Sequence, residues 1–328
     1  MEKPYDLIAI GDTVMDVFIK LSVGHVQESA VGPELCIPYG SKIPYDNATL
    51  LPAVGNSANA AVSAARLGLH SALISFLGKD DHGNACLAKL QQEHVSTEFI
   101  TQEEGTPTNY HYVLWYGDDR TILIKHSDFH EKLPDNLTPP KWIYLSSLGA
   151  GTETFHSDII EYLEKNKDVH LAFQPGTFQL KMGMQLADLY KQTHVVCMNK
   201  EEAQQLLSTP ETDFKILLDT LSALGPKITI ITDGPHGSYM KHENTYFFMP
   251  IYPDIAPPLE RTGAGDAFFS TFVSYLVKGF DPSYAITRAP INSMNVVQHI
   301  GAQEGLLSAE AIEDYLKKAS PEYKLTII

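Results

Sequence analysis

The chain has 328 residues, of which 44% are apolar and 20% charged, with a formal net charge of −16. There is enough apolar surface to offset the entropy of ordering, which excludes a disordered chain, and the length fits one large α/β domain or two smaller ones. The acidic balance, with no run rich in Lys or Arg, excludes nucleic acid as a partner, since such a surface repels a phosphate backbone.

In chain order, residues 5–10 form a short apolar run closed by Gly11, the pattern of a central strand buried on both faces. Residues 14–21 predict a second strand. Residues 22–54 turn rich in Gly and Pro and read as loops and short strands projecting from the main sheet. Ala60, Ala61, Ala64 and Leu67 then recur at helical spacing, with Gly68 as a C-cap. A strand over 71–76 and a helix over 83–93 follow. Residues 110–115 and 120–125 are β-rich and separated by Gly117-Asp118-Asp119, a hairpin signal. From residue 141 strand and helix alternate: strands over 142–146, 170–173, 194–198 and 228–232, and helices over 154–165, 180–190, 201–207, 264–277 and 284–299.

That alternation predicts a parallel sheet covered on both faces. The two helix-poor inserts, 13–54 and 106–130, are expected to pair into one small β-sheet beside a main domain made of 1–12, 55–105 and 131–328. The longest apolar-rich stretch, 267–277, is about half the ~20 residues a membrane-spanning helix needs, and the amino-terminal apolar core is too short for a secretion leader. Cys36, Cys86 and Cys197 are odd in number and far apart. They form no CxxC site and suit a reducing cytoplasm.

The segment that carries chemistry is Glu260-Arg261-Thr262-Gly263-Ala264-Gly265-Asp266-Ala267-Phe268. Two glycines at a helix start allow a ligand close to the backbone, and the free N–H groups and helix dipole favour an anion there. Asp266, in the first turn, is placed to take a proton from an attacking hydroxyl. A bare Gly-x-Gly-Asp is also an ordinary capped helix start. No GxxxxGK[ST] loop is present, so any phosphate site is not a P-loop.

The whole string resembles the carboxy-terminal signature of the PfkB, or ribokinase-like, carbohydrate kinases. Four further stretches resemble that family's motifs in the same order. They are the run from Gly55-Asn56-Ser57-Ala58-Asn59 to Gly68, then Gly78-Lys79-Asp80-Asp81-His82-Gly83, then Asn199-Lys200-Glu201-Glu202, then Thr232-Asp233-Gly234-Pro235-His236-Gly237. The resemblance implies a three-layer α/β/α fold with a mostly parallel central sheet and a small β-sheet lid. It implies ATP-dependent phosphorylation of a sugar hydroxyl, with a nucleoside kinase of the same fold as the alternative and a non-catalytic sugar-binding regulator as a third reading. Asp266 would be the base, and the amides of Gly263, Ala264 and Gly265 the anion hole. Asp16, Gly55, Asn56 and Asn59 would bind the sugar. Asn199, Thr232, Gly234 and Gly237 would lie at the nucleotide, and Glu202 would hold Mg²⁺ through water. Some members form dimers through the lid, which is carried over here as a homodimer expectation.

Three departures stand out. Val54 replaces the first of two glycines, and Glu260 replaces an aspartate, so no potassium site is assigned. The stretch Phe173-Gln174-Pro175-Gly176-Thr177-Phe178 lacks the family's arginine. Arg120 and Lys125 are the candidates to read a phosphate on the acceptor, should it carry one.

Overall fold

The computed structural model describes residues 4–30, 32–117 and 119–328. The amino-terminal part contains Leu7–Ile10 (β1), Val14–Leu21 (β2), His25–Ser29 (β3), Gly32–Cys36 (β4), Tyr45–Val54 (β5), Asn56–Arg66 (α1), Ser71–Gly78 (β6), Asp81–Gln92 (α2), Ile100–Glu103 (β7), Asn109–Tyr116 (β8) and Asp119–Leu123 (β9). The middle contains Trp142–Leu145 (β10), Glu153–Lys165 (α3), His170–Phe173 (β11), Thr177–Met182 (α4), Ala187–Gln192 (α5), Thr193–Asn199 (β12), Lys200–Leu207 (α6), Phe214–Ala223 (α7) and Ile228–Thr232 (β13). Ser238–His242 (β14), Thr245–Met249 (β15), Ala264–Val277 (α8), Pro282–Ile286 (α9), Ala289–Val296 (α10), Ala309–Lys317 (α11) and Thr326–Ile327 (β16) complete the described elements.

The main sheet runs β16-β15-β14-β13-β12-β11-β10-β1-β6-β7. It is parallel from β13 to β7 and antiparallel from β14 to β16. Its central strands are short apolar runs because both faces are covered. Side chains alternate along β1: Leu7 and Ala9 join a core with Phe269 and Phe272 of α8, while Ile8 and Ile10 join one with Phe155 of α3 and Leu217 of α7. This is the expected three-layer α/β/α arrangement. A separate four-stranded sheet runs β5-β2-β8-β9 and draws strands from both helix-poor inserts. Its two inserts meet where β2 and β8 pair in parallel, Val14 beside Asn109 and Asp16 beside His111.

Three expectations need correction. The first insert does not pair wholly into that sheet, because β3 and β4 form a two-stranded sheet of their own. The helix expected over 180–190 is broken into α4, a 3₁₀ turn and α5. Gly183 lies at φ 53°, which α-helix cannot continue through. The helix expected over 284–299 is two helices, α9 and α10, with Pro290 in the first turn of α10. A proline supplies no N–H to a continuing helix and its ring clashes with the preceding turn. Asp118, in the hairpin signal, lies outside the described residues. The pairing of Tyr116 with Asp119 closes that hairpin from both sides.

Candidate active site

The chemistry-bearing residues gather where the parallel strands end. Asp12 follows β1, Ser147 follows β10 and Gln174 follows β11, while Asn199 and Thr232 terminate β12 and β13. Ligands of open α/β sheets bind outside these carboxyl ends. α8 crosses the same edge with its amino terminus, the point of convergence for two clefts.

The first turn of α8 separates those clefts. Ala264 and Gly265 line one, of about 260 Å³, with Thr232, Gly234 and Gly237. Asp266 lines the other, of about 580 Å³, with Asp16, Gly55, Asn56 and Asn59. Ten of the sequence-assigned residues are thus distributed between two adjoining cavities. Gly263 lines neither. It is the N-cap of α8 at φ 80°, and a Cβ there would fall 2.4 Å from the Cβ of Ala302. Glycine is required because the loop at 301–302 packs against the helix start. Among the described residues nothing accepts from the N–H groups of Gly263, Ala264 or Gly265. That leaves three backbone donors open, with the positive end of the helix dipole behind them.

Asn199 and Glu202 also line neither cleft. They form a capping box: Asn199 Oδ1 accepts from Glu202 N at 2.8 Å, and Glu202 Oε2 accepts from Asn199 N at 2.8 Å. The other oxygen of Glu202 has no donor among the described residues. Burial raises the Glu202 carboxyl above its ordinary value; the N–H of Asn199 opposes this and the charge of Asp266 adds to it.

Asp266 is held by amides. Asn59 Nδ2 donates to Oδ2 at 2.8 Å, Gln174 Nε2 donates to Oδ1 at 3.1 Å, and the Asn56 side chain also bonds to it. Burial raises its carboxyl above the ordinary value, and these three donors pull it back. The loop facing it is fixed from below. Arg66 pairs with Glu93 through two bonds of 2.8 Å and donates to the carbonyls of Gln303 and Leu306. The Arg66 hydrogen bond is the main reason the Glu93 carboxyl falls to about 2. Glu260, buried, accepts from Thr262 N at 2.7 Å and Gly301 N at 2.9 Å, which ties that loop to the start of α8.

Sequence reasoning missed several cleft residues. His111 Nδ1 lies 3.4 Å from Asp16 Oδ1, and His126 Nδ1 lies 3.2 Å from Asp12 Oδ2. These pairs are close enough for ionic attraction but misaligned for hydrogen bonds. Asp12 Oδ2, Asp16 Oδ1, His111 Nε2 and His126 Nδ1 are therefore buried polar atoms without a hydrogen-bond partner. Such atoms need one, and a hydroxylated ligand can supply it. No sequence signal marked either histidine; the structure brings His111 beside Asp16 by pairing β8 with β2. Lys181 lines the larger cleft and is exposed, and Arg261 lines the smaller one. Arg120 and Lys125 line neither.

The geometry sets a carboxylate and unsatisfied helix-start amides within one helical turn, an arrangement compatible with phosphoryl transfer to an alcohol. The model of the pfkB family of carbohydrate kinases matches residues 22–309, and this chain belongs to that family. It is a sugar or nucleoside kinase, a phosphotransferase with an alcohol group as acceptor. An ATP-dependent 6-phosphofructokinase of Thermoanaerobacterium thermosaccharolyticum is 24% identical over 95% of this chain and 94% of its own length. The structure of Arabidopsis thaliana ribokinase complexed with ribose and ATP superposes with a TM-score of 0.80 at 19% identity, covering 96% of this chain and 99% of that one. The nucleoside kinase of Methanocaldococcus jannaschii gives a TM-score of 0.79 at 18% identity, covering 97% and 100%. Both structures share this fold. No helix among the described residues is long and apolar enough to cross a membrane.

Proposed function

We propose that this protein transfers the γ-phosphoryl group of ATP to a hydroxyl of a small, uncharged sugar. The observation that carries the reading is the placement of Asp266 in one cleft and of the Ala264 and Gly265 amides in its neighbour, within one turn of α8. Asp266 accepts the proton of the acceptor hydroxyl. The freed oxygen bonds to the γ-phosphorus as the bond to the bridging oxygen breaks, and ADP departs. The N–H groups at the start of α8 stabilise the charge on the group in transit. Arg261 adds a cation on the nucleotide side. The base fits the apolar slot of Met249, Ile251, Phe268, Pro290, Met294 and Val297.

Mg²⁺ suits this donor set. Mg²⁺ characteristically relies on phosphates, waters and one or two carboxylates. Glu202, with one oxygen lacking a protein donor, would hold it through water. Bound with the nucleotide, the ion supplies positive charge to the phosphates.

The acceptor's character follows from charge. Among the described residues lining the larger cleft, Asp12, Asp16 and Asp266 stand against one lysine, Lys181, at the rim. Three carboxylates disfavour an acceptor that already carries a phosphate, and Arg120 and Lys125 are not there to offset them. The unpartnered atoms on Asp12, Asp16, His111 and His126 suit neighbouring hydroxyls. A nucleoside is the second reading, favoured by the apolar wall of Phe18, Ile122, Ile124 and Phe178 in the same cleft. A purely regulatory sugar binder would have no use for a carboxylate beside free helix-start amides. We assign the four-stranded sheet, which carries Asp16, Phe18, His111 and Ile122 over the cleft, as a lid that excludes water. Its other face has a row of exposed Leu50, Tyr112 and Leu123, which suits a second copy of the chain. Three free cysteines fit a cytoplasmic setting.

The test is an ADP-release assay across free pentoses, hexoses and nucleosides. Asp266→Asn is expected to lower kcat by about 10²–10⁴-fold while ATP and acceptor still bind by calorimetry. Near-normal turnover in that variant rejects the assignment.

A further inference from the structure

We propose that Gln174, oriented by Tyr144, is a positioning residue that sets the direction and the ionised state of the Asp266 carboxylate. This rests on Asp266 being the base. Tyr144, on β10, is wholly buried with its ring 5.3 Å from that of Phe269 in α8. Its hydroxyl donates to Gln174 Oε1, and Gln174 Nε2 donates to Asp266 Oδ1 at 3.1 Å. The Gln174 backbone is itself pinned, its N–H donating to Leu145 O at 2.9 Å.

A side-chain amide presents a donor at one end and an acceptor at the other, and either end can face a neighbour. The phenol removes that freedom. Burial, with the negative charge of Asp266 adding, raises the Tyr144 hydroxyl well above its ordinary value, so it remains a proton donor. It therefore holds the carbonyl of Gln174, and the NH₂ group is left to face Asp266. A second arm does the same from the other side. Gln303 Nε2 donates to Asn59 Oδ1 at 3.0 Å, and Asn59 Nδ2 donates to Asp266 Oδ2 at 2.8 Å.

Oδ1 thus has a fixed amide donor in Gln174 and Oδ2 one in Asn59, with the Asn56 side chain a third partner of the carboxylate. Without the Gln174 donor, burial would be less opposed and Asp266 would hold its proton to still higher pH. The other titratable groups facing Asp266 are Tyr144 from β10, Cys197 from β12, Glu202 from α6, and across the cleft Asp12, Asp16, His111, His126 and rim Lys181. None of them donates a hydrogen bond to it.

Gln174→Met keeps the volume and removes the donor. The expected result is a kcat about tenfold to 100-fold lower, an acceptor KM within about threefold, and an acid limb of kcat/KM moved up by about one pH unit. Carbon NMR of labelled aspartate carboxyls, with residue 266 identified by its loss in Asp266→Asn, should show the same upward move without any turnover. Tyr144→Phe should move it in the same direction by less, and serves if Gln174→Met does not fold. An unchanged titration of residue 266 in the folded variant overturns the proposal. If the wild type phosphorylates no acceptor, the kinase reading falls, and the NMR titration still decides the relay.

Discussion

Two helices in this protein begin with the same outline, a polar or glycine cap followed three residues later by an acid, yet they spend that acid differently. At α6 the cap is Asn199 and the acid Glu202, and each satisfies the other's backbone N–H. At α8 the cap is Gly263, which has no side chain to accept from the helix-start N–H groups, and Asp266 turns away into a cleft. The first start is closed by its own side chains. The second leaves its amides unsatisfied and hands its carboxylate to amides from other elements, Asn59 and Gln174. An anion site is thus made by withholding a cap as much as by adding donors.

The largest expected effect that sharpens this contrast lies in the two acids. Asp266→Asn should cost about 10²–10⁴-fold in kcat. Glu202→Gln retains the reciprocal capping and should leave kcat within about tenfold at saturating Mg²⁺, with the half-saturating Mg²⁺ concentration raised. Equal losses in the two would erase the distinction.

Next come the glycines of α8. Gly263→Ala sets a methyl 2.4 Å from the Ala302 Cβ at φ 80°. It should lower stability by about 1–3 kcal/mol in denaturant melts and reduce turnover as the helix start shifts. At Gly265 a Cβ has only Gln174 Nε2 near it, at 4.0 Å. Gly265→Ala should fold with an unchanged Tm and raise the KM for ATP, because its methyl enters the space left for phosphate.

The smallest effect is at the closed start. Asn199→Ala should lower stability by about 0.5–2 kcal/mol, the worth of a cap, and alter the KM for ATP by less than about threefold. A large rise in that KM would return Asn199 to the nucleotide site that the motif implies.

Most of the central layer was legible because its strands are continuous apolar runs and α8 an apolar-rich helix. The start of α8 was legible to the residue, since Gly-x-Gly-Asp leaves few ways to begin a helix. Elsewhere single residues overrode the pattern, as Gly183 and Pro290 did by breaking runs of helical spacing. The sequence reading assigned no element over 208–227, where Asp213 caps α7 with its side chain. Gln174 and His126 were not legible. A lone glutamine at a strand end and a lone histidine in a β-rich insert acquire meaning only from neighbours distant in the chain.

The parallel pairing of β2 with β8 has a consequence for assembly. A hairpin can form by itself, but Val14 and Asn109 are separated in the chain by α1, β6, α2 and β7, and meet only once β6 has paired with β1 and brought both segments to the same rim. The ladder over the acceptor is therefore a late, high-separation contact in folding. Its amides should exchange before those of β1 and β10, and it cannot be cut out and studied as an independent module.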